Sequence, residues 1–208
     1  MAFRWIVEKA TNNCLPMKKV LVFILVSAFG ITFASAQSSV GFRGGVNMFN
    51  FGGNDVSENS YTNRAGFHAG IYADLMSNSA VSIEPGIFYS VKGTQNDDAI
   101  NSRSILSYID VPILLRLRVG EGFNFFAGPQ FSFLTDSRFE GDFGNSTVSL
   151  DTESIKENDS ALVFGLGYNL PKGFNIQGSY DYGLTPIFKD SDADVYNRGF
   201  KISLGYSF

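Results

Sequence analysis

Hydrophobic and polar residues alternate with period two along most of the chain, the mark of strands with two unlike faces. Over 40–48, Val40, Phe42, Val46 and Met48 stand opposite Arg43 and Asn47. Residues 65–75 set Phe67, Ala69, Ile71 and Leu75 against His68, Tyr72 and Asp74, and residues 80–92 set Val81, Ile83, Ile87, Tyr89 and Val91 against Ser82, Glu84 and Ser90. In 105–119 the row Ile109, Val111, Ile113, Leu115, Leu117 faces away from Asp110, Arg116 and Arg118. The second half continues the pattern. Phe125, Phe131 and Phe133 oppose Asn124, Gln130 and Ser132 in 123–134, and Leu162, Phe164, Leu166 and Tyr168 oppose Gly165, Gly167 and Asn169 in 160–170. Residues 173–184 place Phe174, Ile176, Tyr180 and Tyr182 against Asn175, Gln177, Ser179 and Asp181, and 198–208 place Phe200, Ile202, Leu204, Tyr206 and Phe208 against Lys201, Ser203, Gly205 and Ser207. Eight strands are predicted.

The connections alternate in length. Long ones, 49–64, 93–104, 135–159 and 185–197, follow the odd-numbered strands, and short ones at 76–79, 120–122 and 171–172 follow the even ones. All long loops therefore lie at one end of an antiparallel up-and-down meander. Eight strands is the size at which such a sheet closes into a barrel just filled by its own side chains.

An eight-stranded barrel is either a soluble carrier with an apolar interior or a membrane barrel with an apolar exterior, and the polar face decides between them. Its charges, Arg43, His68, Glu84, Asp110, Arg116, Asp181 and Lys201, are sparse, of both signs and set among glycines. A solvated outer surface carries far more charge, whereas a crowded interior needs charges that pair. The opposite face is almost continuously Phe, Ile, Leu, Val and Tyr, as a lipid-facing band of about 25 Å requires. The expected fold is all-β: an eight-stranded antiparallel up-and-down transmembrane β-barrel. Composition agrees: of 208 residues 44% are hydrophobic and 15% aromatic, with 22 Gly and 21 Phe, yet the mean hydropathy is only +0.03.

Residues 17–36 read as a secretory signal peptide: Lys18 and Lys19, an apolar run of about 14 residues, and Ala34-Ser35-Ala36 before Gln37. Residues 1–16 are expected to be an over-extended start, with the barrel domain over 37–208. The only cysteine, Cys14, falls in that extension. Without residues 1–36 the 16 basic and 20 acidic residues become 12 and 19, a net charge of −7, a poor balance for nucleic-acid binding.

Phe200-Lys-Ile-Ser-Leu-Gly-Tyr-Ser-Phe208 closes the chain on an aromatic residue, with Phe200, Ile202, Leu204, Tyr206 and Phe208 in alternation. It resembles the C-terminal assembly signal of bacterial outer-membrane barrels. Together with Gly41–Asn47 (GFRGGVN), Tyr108–Leu115 (YIDVPILL), Phe126–Phe131 (FAGPQF) and Phe164–Tyr168 (FGLGY), it makes residues 40–208 similar to the small outer-membrane β-barrel proteins labelled porin family or PorT-like. The resemblance implies a place in the cell outer membrane, contact with outer-membrane lipid and lipopolysaccharide, and delivery by periplasmic chaperones and the barrel-assembly machinery. Members mostly have no defined substrate, and one branch belongs to a secretion system.

Candidate chemistry is thin. The expected role is a structural or adhesion-type surface protein, monomeric, without cofactor or catalytic residues, and at most weakly conducting. The alternatives are an outer-membrane lipid hydrolase built on His68 and an accessory barrel of a secretion system. The inward charges are expected to form a neutralised plug in preference to an ion gate. Asp190, Asp192 and Asp194 have the spacing of a calcium loop but lack its glycine turn and distal Glu, so no metal is expected there.

Overall fold

The computed structural model describes residues 38–54, 62–95, 102–143, 146–151, 155–189 and 193–208. The start extension, the signal segment and Cys14 lie outside them, as do Asp190 and Asp192. The strands are β1 (Ser39–Gly52), β2 (Thr62–Asp74), β3 (Val81–Gln95), β4 (Arg103–Val119), β5 (Phe123–Phe143), β6 (Ser146–Asp151), β7 (Asn158–Asn169), β8 (Phe174–Gly183) and β9 (Tyr196–Ser207). All neighbouring strands are antiparallel in the order β4-β3-β2-β1-β9-β8-β7-β5-β6, and β4 also pairs with β5. That pairing closes eight strands into an up-and-down barrel, leaving β6 as a lateral addition to β5 outside the closed wall.

The ninth strand corrects the sequence reading. Residues 135–159 were expected to be a solvated loop, but β5 runs on to Phe143, pairs with β6 from Arg138↔Asp151 to Phe143↔Ser146, and keeps β4 as its other neighbour as far as Arg103↔Glu140. The charge density of this stretch masks its strand character, although Asp136, Arg138 and Glu140 keep one parity and Ser137 and Phe139 the other, as in a strand with one solvated face. Val91, assigned to the apolar outward row, is also buried. It lies where the β2–β3 register shifts.

Elsewhere parity is realised as two surfaces. The outward rows stay open, from Phe42 (53%) and Ile71 (54%) to Phe200 (62%) and Ile202 (58%). On β4 the row runs from Val119 to Ile109; those ten steps at ~3.4 Å each, tilted by ~40°, span ~26 Å, the height of a bilayer's hydrocarbon band. Closure leaves the wall no free edge, which a lipid-exposed backbone requires, since an unpaired group there costs several kcal/mol. The closing seam joins the first and last strands: β1 pairs β9 from Gly41↔Ser207 to Gly52↔Tyr196, and Phe208 N–H donates to the Val40 carbonyl at 2.8 Å. Gly45 sits in that seam, where a Cβ would collide with the Ile202 carbonyl and crowd Ser203.

Candidate functional site: the barrel interior

The inward rows of all eight strands converge on a polar core stacked in layers from the short-turn end. Lowest is the Arg118–Asp74 ion pair, with Arg118 Nη1 donating to the Ser79 carbonyl at 2.8 Å. Above it, Arg43 on β1 grips Glu84 on β3 bidentately, at 2.8 and 3.1 Å, and Arg116 on β4 reaches the same carboxylate at 2.9 Å. One carboxylate thus bridges two guanidiniums, all three groups nearly inaccessible. Their remaining faces are used as well. Arg43 stacks 3.9 Å from the Tyr72 ring centroid and Arg116 4.7 Å from that of Phe126, while Arg116 donates to Asn124 and to Gln177 Oε1 at 3.2 Å.

In the middle layer His68 Nδ1 lies 2.5 Å from Asn47 Oδ1 and Nε2 lies 2.8 Å from Ser203 Oγ. Asn47 Nδ2 donates to the carbonyls of Phe67 (2.9 Å) and Val91 (3.1 Å), so its oxygen faces the ring. That fixes the tautomer: Nδ1 carries the proton, and Nε2 accepts from the Ser203 hydroxyl. The next layer is a second shared-carboxylate cluster. Lys92 meets Asp110 at 2.8 Å, Lys201 meets Asp110 at 3.3 Å and Asp181 at 2.7 Å, with Ser132 and Gln130 filling the remaining positions. Asn197 then donates to Asp159 at 2.9 Å and to the Tyr108 hydroxyl at 3.4 Å. Phe51, Leu106, Tyr108, Ile155, Ile187 and Val195 form an apolar cluster over the top, tied by the Ile155↔Phe188 bridge.

All seven charges and polar groups singled out from the sequence (Arg43, His68, Glu84, Asp110, Arg116, Asp181 and Lys201) are buried inside the barrel. Six form the two shared-carboxylate clusters, and His68 stands between them. Lys92 was overlooked although it shares the parity of Glu84 and Ser90, because the strand was read as ending there, whereas β3 runs on to Gln95. Tyr108, Asp159 and Asn197 were not separable by pattern, since they belong to the layer where strands meet the upper loops. Including Asp159 and the lower pair, the core holds five cations (Arg43, Lys92, Arg116, Arg118, Lys201) against five carboxylates (Asp74, Glu84, Asp110, Asp159, Asp181). It is neutral as a whole.

Open space in the interior is broken up. A cavity of ≈ 200 Å³ opens beside Arg43, Tyr72, Asp74 and Arg118. One of ≈ 40 Å³ lies by His68, Lys201 and Ser203, room for no more than a water or two. A third of ≈ 380 Å³ lies above the polar layers, beside Phe51, Leu106, Phe139 and Ile155. Among the described residues no group of three or more His, Cys, Asp and Glu side chains could hold a metal. Asp194, the described member of the aspartate series, accepts a hydrogen bond from the Tyr196 hydroxyl at 3.1 Å, and that carboxylate holds the phenol above its usual pKa.

The outward aromatic rows complete the picture. Tyr206 contacts Phe42, Phe174 and Phe208 at centroid distances of 6.0, 5.1 and 5.1 Å at the short-turn rim, and Phe67 contacts Tyr89 at 5.9 Å toward the other. An apolar belt with aromatic rims around a neutralised polar interior defines an outer-membrane β-barrel, whose short turns face the periplasm and whose long connections face outside.

Residues 33–189 match the family described as outer membrane protein beta-barrel domain, and the chain belongs to that family. No curated protein matches it. Among solved structures it is similar to Neisserial surface protein A, with 14% identity over 82% of this chain and 99% of that one and a TM-score of 0.54. It is also similar to Ail, the attachment invasion locus protein of Yersinia pestis, solved with the heparin analogue sucrose octasulfate: 17% identity, 83% and 99% coverage, TM-score 0.51. Both likenesses are of fold.

Proposed function

We propose that this protein is a sealed outer-membrane scaffold with a structural, adhesion-type surface role and at most weak passive conductance. The observation that carries the reading is the interior: two shared-carboxylate clusters stacked under an apolar cap, with open space divided into separate cavities. An ion crossing such a core must displace buried charge pairs that are already hydrogen-bonded to one another and to their neighbours. What the barrel offers the outside is the β4–β5–β6 projection, standing clear of the lipid band on a rigid wall. Attachment, the function carried in Ail's name, is the kind of role this design suits. Within the family, the finer reading is the porin family or PorT-like group, on the resemblance of Gly41–Asn47, Tyr108–Leu115, Phe126–Phe131 and Phe164–Tyr168. Outer-membrane lipid and lipopolysaccharide surround the monomer in this reading, and periplasmic chaperones and the barrel-assembly machinery read Phe200–Phe208.

Planar-bilayer recording tests the seal. The wild-type barrel gives no sustained openings, and steady ohmic conductance from it would overturn the reading. Attachment is tested on cells displaying the barrel with Arg138–Asp151 replaced by a short turn, which keep the heat-modifiable band and lose adherence.

One observation favours a second reading. Ser203, His68 and Asn47 reproduce the hydrogen-bond chain of a Ser-His-Asn triad. The three are 3%, 4% and 0% exposed, beside a cavity too small for an ester-bearing lipid, and they face the interior, away from the membrane. The chain is therefore better suited to locking β1, β2 and β9 together. Fluorophosphonate labelling of Ser203, with lipid turnover lost in His68→Ala, would reinstate the hydrolase.

A further inference from the structure

Arg198 is the one charged residue on the outward rows of β8, β9 and β1 among the described residues. It lies on β9 two positions beyond Phe200, on the face that carries Phe200, Ile202 and Leu204, and pairs with Asn50 on β1 and Tyr182 on β8. Its guanidinium stands 4.3 Å from the Tyr182 ring centroid and 5.6 Å from that of Tyr196, and Nη2 donates to the Tyr182 hydroxyl at 3.2 Å. On its other flank lies Gly52, where a Cβ would come within 3.0 Å of Arg198 Cδ and 3.5 Å of Nε. The side chain therefore lies flat on the wall, held by an aromatic hydroxyl on one strand and seated on a missing side chain of another.

This bracing is not spent on an ion pair. Arg198 pairs with no carboxylate among the described residues; its Nε is buried against the wall, so the Nη end of the guanidinium is the part open to a ligand. Asp194, on the same stretch, is engaged by Tyr196. Depth supplies the missing partner. Arg198 is ten residue steps from Phe208, ~26 Å along the membrane normal at the same rise and tilt, so it leaves the hydrocarbon where lipid phosphates begin. A planar guanidinium fork, fixed in orientation, suits a phosphate better than a mobile ammonium does. The net charge of −7 on residues 37–208 would otherwise repel anionic headgroups, which makes a dedicated cation useful here.

We infer that Arg198, braced by Tyr182 and Tyr196 and seated over Gly52, binds the phosphate of an anionic lipid in the outer leaflet. The test is native mass spectrometry of the detergent-solubilised barrel titrated with lipid A, with phosphatidylcholine as the neutral comparison and inorganic phosphate as competitor. The wild type retains one lipid A, and Arg198→Ala retains it at least tenfold more weakly, the loss expected for charge-assisted hydrogen bonds. Tyr182→Leu, which keeps the charge and removes the brace, falls between the two. Phosphatidylcholine retention is unchanged throughout, and a heat-modifiable band reports folding of each variant. Equal lipid A retention by wild type and Arg198→Ala would overturn the proposal. So would displacement of lipid A by equimolar inorganic phosphate, since the site would then belong to the free ion.

Discussion

Replacing Glu84 with Gln changes one atom of the interior and leaves its shape nearly intact, so its effect isolates charge. Glu84 lies 2.8 Å from Arg43 and 2.9 Å from Arg116, and all three side chains are at most 4% exposed. A single pair at such a separation is worth roughly 4–6 kcal/mol at an effective dielectric of about 20, but forming it also costs several kcal/mol of desolvation per ion. The net worth of the cluster is therefore small, while breaking it is expensive. Glu84→Gln leaves two buried guanidiniums without a counter-charge, and the expected loss is about 3–5 kcal/mol. The same physics predicts that replacing all three groups together, with Arg43→Met, Glu84→Leu and Arg116→Met, recovers stability to within about 1 kcal/mol of wild type. The assay is urea unfolding in lipid vesicles, with the folded fraction read from the heat-modifiable gel band and far-UV circular dichroism, because the only tryptophan, Trp5, precedes the barrel. A loss below about 1 kcal/mol for Glu84→Gln would refute the claim that the pair is desolvated. In planar bilayers the same variant should open transiently where the wild type stays closed.

Gly45→Ala should destabilise by about 1–3 kcal/mol, because its Cβ meets backbone of β9 and the seam must spread. Gly178→Ala, whose Cβ meets nothing within 4 Å, should be neutral in the same urea titration. The Phe208 side chain, in a residue 78% exposed, packs on the rings of Phe42 and Tyr206, so Phe208→Ser should change vesicle stability by less than about 1 kcal/mol while lowering the outer-membrane level in fractionated cells; equal losses in both would place its role in packing. Millimolar Ca²⁺ should leave the thermal transition unmoved, and an upward shift that disappears with Asp190→Asn, Asp192→Asn and Asp194→Asn together would establish the aspartate series as a cation site.

Period-two alternation made the barrel legible because lipid outside and a crowded lumen inside impose opposite demands on successive residues. Arg43, Glu84, Asp110, Arg116, Asp181 and Lys201 could be placed on one face by counting alone. Their partnerships could not, since Glu84 meets Arg116 through the β3–β4 register whereas it meets Arg43 across the lumen, and only closure brings those two walls together. The inward face was also less polar than its pattern implied. Leu114, Phe126 and Val163 share it and form a small apolar cluster, Phe126 supplying the ring under Arg116. The β5–β6 projection was overlooked for a different reason: Asp136, Arg138 and Glu140 still alternate with Ser137 and Phe139, but the density of charge in so long a connection reads as a loop.

The interleaving of Asp110, Arg116 and their kind with the outward apolar rows has a consequence before any barrel exists. A helical segment halts in the inner membrane when about 18 or more apolar residues run together. In β4 a charge or serine interrupts the run at Ser107, Asp110, Arg116 and Arg118, and β9 is broken at Lys201, Ser203 and Ser207. No strand can be retained as a helical span on its way out. The groups that cancel one another inside the finished wall thus also act during export, keeping a lipid-loving chain from settling in the first bilayer it crosses.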